Sequence, residues 1–121
     1  MQSGAKTYEK IARTSVSRRA LEADLLLKAA SRLQAVRDSW ESRRGDLNEA
    51  LHYNRKLWTL FLSEVTSAAN PLPADIRQNV ANIGLFVVKQ TLAVLSNPQP
   101  KQLNSLISIN RELAAGLRDA A

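Results

Sequence analysis

The chain contains no cysteine, a single histidine, four glycines and four prolines among its 121 residues. Without cysteine it has no disulfide framework, no thiolate nucleophile and no cysteine-based metal site. His52 alone cannot form a zinc site, because such sites draw on several His, Cys or carboxylate ligands. Of the eight glycines and prolines, only Gly84 and Gly116 lie inside the helices predicted below. This distribution favours a helical fold.

The sequence also lacks the motifs of common enzymes. No phosphate-binding loop, dinucleotide-binding fingerprint or nucleophile elbow is present. General acid–base catalysis requires titratable groups positioned in a pocket, whereas the acids here are scattered beside Lys or Arg at helical surface spacing. We therefore expect a protein that is not an enzyme and that needs no cofactor, metal or small-molecule ligand. His52 follows the apolar residue Leu51 and is interpreted as structural.

Long apolar runs are missing as well. The longest candidate, IGLFVV at 83–88, ends at Lys89, short of the roughly 18 residues that suggest a membrane span. The first ten residues, MQSGAKTYEK, are polar and have no signal-peptide apolar core. The expected location is the cytoplasm, without membrane contact.

Positive charge is concentrated in the first part of the chain. Residues 1–44 hold ten Lys or Arg against five Asp or Glu, a net of +5, and the remainder holds seven against six, a net of +1. Such a basic segment is typical of contact with nucleic acid or an acidic partner. A solvated helix face with an excess of Arg explains the same charge, and both interpretations stay open.

Apolar spacing predicts helices along the whole chain. Residues 5–13 suit a short helix, and the hydroxyl-rich TSVS at 14–17 suits a break. A long helix follows, with an apolar stripe on one side, and its end is expected at Gly45 in the left-handed conformation. The predicted stripe consists of Leu21, Leu25, Ala29, Leu33, Val36 and Trp40.

Three further helices are bounded by capping and proline signals. Asp46 and Glu49 resemble a capping box at the start of a helix that ends near Ser67, before the stop NPLP at 70–73. The fourth helix, about 73–96, is apolar on more than one face, so we expect it at the centre of the bundle. Gly84 within it suggests close approach of a neighbouring helix. The fifth runs over about 101–118, after NPQP at 97–100.

The predicted fold is therefore all-α, a four-helix core bundle with a short N-terminal helical extension. About five helices form a single domain over residues 1–121.

Two asparagines interrupt apolar stripes in this bundle. Asn54 falls in line with Leu47, Leu51, Trp58, Phe61 and Val65, and Asn110 falls in line with Leu103, Ile107, Leu113 and Leu117. Buried amides can fix the register of helices when they find a partner, so the two could pair with each other or cap a buried backbone group. Alternatively, they border a groove for a partner helix, with Arg55 and Arg111 as anchors at its rim. Both alternatives indicate specificity rather than catalysis.

Several segments along the chain form a distinctive combination: NRKLW at 54–58, LP at 72–73, FVVKQTLAVL at 86–95 and LNSLISINRELAAGL at 103–117. With looser agreement in RRALEADLL from residue 18, they resemble the flagellar biosynthesis regulator FlaF family of alphaproteobacteria. The resemblance implies a small helical cytoplasmic protein that supports flagellin production and filament assembly beside FlbT, a companion regulator acting on flagellin mRNA. It supplies no catalytic residue.

Two function hypotheses follow from the resemblance and the residues together. In the first, the protein binds a helical partner such as flagellin, in the manner of a chaperone. Its candidate contact residues are Tyr53, Asn54, Arg55, Trp58, Asn110 and Arg111. In the second, the basic helix over 18–44 contacts flagellin mRNA directly or with FlbT. Its candidate contact residues are Arg18, Arg19, Arg43 and Arg44.

Overall fold

Four long helices form the structure, a computed structural model that describes the backbone of residues 4–119 and the side chains of residues 18–119. The helices are α1 (Gly4–Asp38), the one-turn α2 (Trp40–Arg43), α3 (Leu47–Thr66), α4 (Ala74–Ser96) and α5 (Asn104–Asp119). Short 3-10 helices lie at Arg44–Asp46 and Pro100–Leu103. Residues 4–119 contain no strand. The prediction of an all-α fold with four core helices is confirmed.

α1 packs between α3 and α5, whereas α4 lies on α3. Cross-helix pairs such as Arg18–Glu64 and Arg118–Asp24 show that α3 and α5 both run antiparallel to α1. The buried side chains of α1 are small or branched apolar residues spaced three and four apart: Ala23, Leu26, Ala29, Ala30, Leu33 and Val36. The predicted stripe is correct from Ala29 to Val36, but Leu21 is exposed.

The predicted break at TSVS, 14–17, is wrong. α1 continues without interruption through these residues, so the predicted extension over 5–13 is the beginning of the first long helix. Ser, Thr and Val lower helix propensity by at most about 0.7 kcal/mol each relative to Ala. Four such residues do not stop a helix that continues on both sides. The side chains predicted to share a face of 5–13 lie outside the described residues.

The end of the first long helix also differs from the prediction. α1 ends at Asp38, and the chain turns through α2 and the following 3-10 helix. Gly45 lies within that 3-10 helix, and none of the described glycines has positive φ. Asp46 precedes α3 as predicted, but its side chain makes no capping hydrogen bond. The 3-10 helix leads directly into α3 and supplies i→i+3 hydrogen bonds, so neither a left-handed glycine nor a side-chain cap is required here.

The connection between α3 and α4 is fixed by Asn70. Its side-chain oxygen accepts from the backbone N–H of Leu72 over 2.9 Å, and its Nδ2 donates to the carbonyl of Glu64 over 3.0 Å. The first bond is an Asx turn, and the second adds a donor to a carbonyl at the end of α3 that also accepts from the backbone N–H of Ser67. Pro73 then precedes the first residue of α4.

α4 is an outer helix, which corrects the prediction that it forms the centre. It packs mainly against α3, and only Gly84, Val87, Thr91 and Val94 are buried. Six large apolar side chains on it are 40–58% exposed: Ile76, Ile83, Leu85, Phe86, Leu92 and Leu95. An apolar sequence indicates that a helix avoids water in its working state, but does not say whether the same chain covers it.

The close approach predicted at Gly84 is confirmed. A Cβ atom at this position would lie 2.5 Å from Cδ2 and 2.8 Å from Cγ of Leu62 on α3. Because glycine has no Cβ, α4 can lie close to α3 at this position. Within residues 4–119, no long helix packs against the opposite side of α4, which packs mainly against α3.

The length and composition of α4 also bear on the membrane expectation. The helix has 23 residues, and an 18-residue stretch within it has a mean hydropathy of 1.3, which by length and composition would suffice to cross a bilayer. The expectation that no segment is long and apolar enough was therefore too strict, because it counted only the uninterrupted run ending at Lys89. These two properties are weak signs of a membrane span on their own.

Candidate functional site

A chain of three buried side chains joins α3 to α5. The indole Nε1 of Trp58 donates to Oδ1 of Asn110 over 2.9 Å, and Nδ2 of Asn110 donates to Oδ1 of Asn54 over 2.6 Å. All three residues are 0% exposed. Asn110 thus accepts from one α3 residue and donates to another, one helical turn away. The alternative in which the two amides pair with each other is the arrangement that the structure contains.

One polar atom of this chain is unsatisfied. Nδ2 of Asn54 is buried and has no hydrogen-bond partner among the described residues. A buried donor without an acceptor costs about 1–3 kcal/mol. The amide of Asn54 therefore stabilises the bundle through its oxygen and destabilises it through its nitrogen.

Three other residues predicted at the partner site lie near the surface in separate places. Tyr53 is half-buried beneath α1, where the Arg32 guanidinium carbon lies 4.5 Å from its ring centroid. Arg55 is exposed and lies beside His52, with Nη2 and Nδ1 3.5 Å apart. Arg111 is also exposed, and it donates to the side-chain oxygen of Gln34 on α1.

The six candidate partner residues therefore do not line one groove. Trp58, Asn54 and Asn110 face the interior, where their hydrogen bonds hold α5 against α3. Tyr53 and Arg111 bridge to α1 by cation–π contact and hydrogen bond respectively. Their described contacts all lie within the bundle.

The four arginines of the RNA hypothesis lie in two separate places. Arg18 and Arg19 are near the middle of α1, whereas Arg43 ends α2 and Arg44 begins the 3-10 helix that follows it. Arg18 bridges two acids, with Nε 3.3 Å from Glu22 and Nη2 2.5 Å from Glu64. The guanidinium carbon of Arg44 lies 5.6 Å from the centroid of the Trp40 ring. At about 1.5 Å per residue, the distance along α1 from Arg18 to its last residue is roughly 30 Å. Arg18 and Arg19 are thus separated from Arg43 and Arg44.

The pKa values of two carboxylates on α1, Glu22 and Asp38, are shifted in opposite directions. Burial, followed by the negative charge of Glu64, raises the pKa of Glu22, while Arg18 opposes both effects. The pKa of Asp38 is lowered, chiefly because Nε of Arg37 donates to its carboxylate over 3.0 Å. Folding therefore favours the protonated form of Glu22 and the ionised form of Asp38.

Two open grooves flank α1. The side groove, of about 540 Å³, lies between α1 and the start of α3 and carries both signs of charge. Its lining includes Lys28, Arg32 and Arg43 with Asp46 and Glu49. The end groove, of about 430 Å³, has an apolar floor that includes Phe61, Val65, Leu72, Leu113 and Leu117. Arg18, Arg19, Glu22 and Glu64 also line the end groove.

Exposed and half-buried apolar side chains form a row along α4. We call it the outer stripe, and its members are Ala81, Leu85, Val88, Leu92 and Leu95. Their 4-3-4-3 spacing keeps them on one side of a helix. Leu85, Leu92 and Leu95 are 56%, 58% and 44% exposed, and Ala81 and Val88 are half-buried.

The outer stripe repeats the pattern of the stripe that packs against α3. That buried stripe, Val80, Gly84, Val87, Thr91 and Val94, has the same spacing and precedes the outer stripe by one residue at every position. One residue corresponds to about 100° around a helix axis. Two apolar stripes at this angle are typical of a helix with two helical neighbours, whereas α4 packs mainly against one. The sequence predicted a helix that is apolar on more than one face, but its apolar residues were not separated into two stripes, so this site was not predicted.

Among curated proteins nothing matches the chain, and among solved structures nothing matches it either. The family model of the flagellar protein FlaF matches residues 4–117. The match includes α1, α3, α4 and most of α5, and it agrees with the resemblance found in NRKLW and LISINR. The chain therefore belongs to the flagellar protein FlaF family.

Proposed function

We propose that this flagellar protein is a non-enzymatic cytoplasmic factor that binds an apolar helix of a partner protein, with flagellin as the leading candidate. By covering that helix before assembly, it would support flagellin synthesis, secretion and filament assembly. The observation that carries the proposal is the outer stripe of α4, whose leucines are about half exposed. No membrane, cofactor or small molecule is needed for this function.

The geometry of α4 favours a helix as the ligand. Apolar residues in a 4-3-4-3 row form the seam that a second helix covers by inserting its own side chains. An amphipathic helix laid along an apolar face is a common mode of protein recognition. An unassembled subunit that exposes such a helix risks aggregation, so mutual covering benefits both proteins.

This proposal moves the contact from the residues first suggested by the sequence. Trp58, Asn54 and Asn110 are 0% exposed, and a partner could reach them only by opening the bundle. Their role in the proposal is indirect, because the hydrogen bonds to Asn110 position α5 against α3. FlbT remains a second candidate partner for the same surface.

The side groove supports a second candidate function, contact with RNA. Lys28, Arg32 and Arg43 line it and have no carboxylate within ion-pair distance among the side chains of residues 18–119. Tyr53 lies beneath two of them, and cations near an aromatic ring are typical of single-strand binding. Asp46 and Glu49 in the same groove oppose phosphate binding, which makes this the weaker hypothesis.

A capture experiment separates the two functions. Tagged protein is used to recover partners from its native cytoplasm at low and high salt, with and without ribonuclease, and these are identified by mass spectrometry. Retention of flagellin at high salt after ribonuclease supports the helix-binding function. Phosphate contacts lose affinity by about 10³ to 10⁵ between about 50 and 200 mM salt for six to ten contacts. Recovery only at low salt, abolished by ribonuclease, would support the RNA function instead.

A further inference from the structure

We infer that the outer stripe of α4 also binds a second copy of this chain, so that α4 of one copy covers α4 of another when no partner helix is bound. Self-association does not depend on the identity of the partner. Its regulatory consequence, exchange of the second copy for a partner helix, rests on the proposed function.

The spacing of the stripe makes it complementary to itself. A two-fold contact uses the same patch on both copies. Read in the opposite direction the row has 3-4-3-4 spacing, so in an antiparallel contact Val88 of one copy can lie beside Leu85 or Leu92 of the other. The middle residue, Val88, lies between Leu85 and Leu92 and is smaller than either. Two stripes laid together can therefore place large side chains beside small ones, as close packing requires.

Charge favours α4 as the surface for self-association. The chain carries a net +6, of which +5 lies in residues 1–44, and like charges oppose pairing. α4 itself carries only Asp75, Arg77 and Lys89, a net of +1. Because α4 packs mainly against α3, a copy that docks on its outer side stays away from the basic α1.

The scarcity of cations on α4 argues against lipid as the covering material. Helices that lie on membranes place Lys and Arg on the face opposite the apolar one. At about 100° per residue, the side of α4 opposite the outer stripe carries Asn79, Ile83, Phe86 and Gln90. Lys89 is the only cation from residue 78 to the end of α4, so this helix lacks the basic face that favours an anionic bilayer.

The stripe is too small for a permanent dimer. Three half-exposed leucines and two smaller residues offer far less than the roughly 800 Å² per partner of a standard stable interface. We therefore expect rapid, reversible association that depends on concentration. Weak pairing of this kind protects the apolar row and still yields to a longer helix with better contacts.

Sedimentation velocity over the low micromolar to near-millimolar range tests the inference. Wild type should shift from 13.4 kDa towards twice that mass, and Leu92→Glu should remain monomeric. Leu60→Glu is the matched control, because Leu60 on α3 is 59% exposed and Leu92 is 58% exposed. It should associate like wild type. A wild type that stays monomeric throughout, or equal loss of association in both variants, overturns the inference.

Cross-linking provides a second measurement with variants that should fold without difficulty. The chain has no cysteine, so Val88→Cys and Leu60→Cys each introduce a single thiol. Val88 is the middle of the stripe and lies close to its own copy in either direction of pairing. A short bismaleimide should yield dimers of Val88→Cys and not of Leu60→Cys, and the reverse result contradicts the inference. If Val88→Cys cross-links but purified flagellin does not bind wild type, the self-association stands and the proposed function fails.

Discussion

Nδ2 of Asn110 donates to Oδ1 of Asn54 over 2.6 Å while its own Oδ1 accepts from Trp58. The two asparagines therefore differ in the number of hydrogen bonds that depend on them. Asn110 holds two, and Asn54 holds one together with an unsatisfied nitrogen. This asymmetry has a measurable consequence for stability.

We predict that Asn110→Leu destabilises the protein more than Asn54→Leu. The first change leaves the Trp58 indole N–H and the Asn54 oxygen buried without partners, at about 2–6 kcal/mol in total. The second change leaves Nδ2 of Asn110 without its acceptor, but it also removes the unsatisfied Nδ2 of Asn54. Its net effect on stability should therefore be within about 1 kcal/mol of zero. Urea unfolding followed by circular dichroism gives both values. A larger loss for Asn54→Leu would show that the unsatisfied nitrogen has a partner in solution.

Gly84→Ala should destabilise the protein by about 1–3 kcal/mol, because the new methyl group would overlap the side chain of Leu62. Gly116→Ala on α5 is the control, since nothing lies within 4 Å of its added Cβ. That change should stabilise the protein by up to about 1 kcal/mol through helix propensity. Thermal unfolding of the two variants should move in opposite directions. Stabilisation by Gly84→Ala would mean that α4 and α3 are not closely packed here.

The raised pKa of Glu22 predicts that this carboxylate destabilises the folded state at neutral pH. Between the ordinary value of 4.5 and the raised folded value, the folded protein binds more protons than the unfolded one, so this contribution to stability falls as pH rises. Glu22→Gln should therefore gain melting temperature relative to wild type between about pH 4 and pH 7. A difference between the two proteins that does not change with pH would refute the assignment.

Asp38 should behave in the opposite sense. Its pKa is lowered by the hydrogen bond from Arg37, so its stabilising contribution is present above the ordinary value of 3.8 and is lost as pH falls through the lowered value. Asp38→Asn should lower the melting temperature near neutral pH and converge with wild type in acid. Because Asp38 is exposed, the expected effect is small. An effect that grows as the pH falls would contradict it.

Particular residues show why some features were predictable from the sequence and others were not. NPLP and NPQP fix the connections around α4, because proline and the residue before it disfavour helix locally. Asn54 and Asn110 could be recognised because polar residues in apolar stripes require an explanation. The contact between Gly84 and Leu62 was expected for a similar reason.

The predictions that were wrong concern features that depend on neighbouring parts of the structure. TSVS would interrupt a helix only if nothing favoured helix on both sides of it, and α1 continues through it. The exposure of Leu85 and Leu92 could not be read from α4 itself, because an apolar pattern does not identify the chain that covers it. The one-residue offset between the two stripes was visible in the sequence, but it gains meaning only once one stripe is known to be buried.

The proposed function requires the outer stripe of α4 to bind an apolar helix of a flagellar partner. Isothermal titration of purified monomeric flagellin into wild type, Leu92→Glu and Leu60→Glu measures this binding, with circular dichroism to establish that all three are folded. A glutamate in the stripe should weaken binding at least about tenfold, which corresponds to about 1.4 kcal/mol and is less than the burial of one leucine. Leu60→Glu should bind as wild type does. Equal binding by all three proteins, or loss in Leu60→Glu alone, would contradict the proposed function.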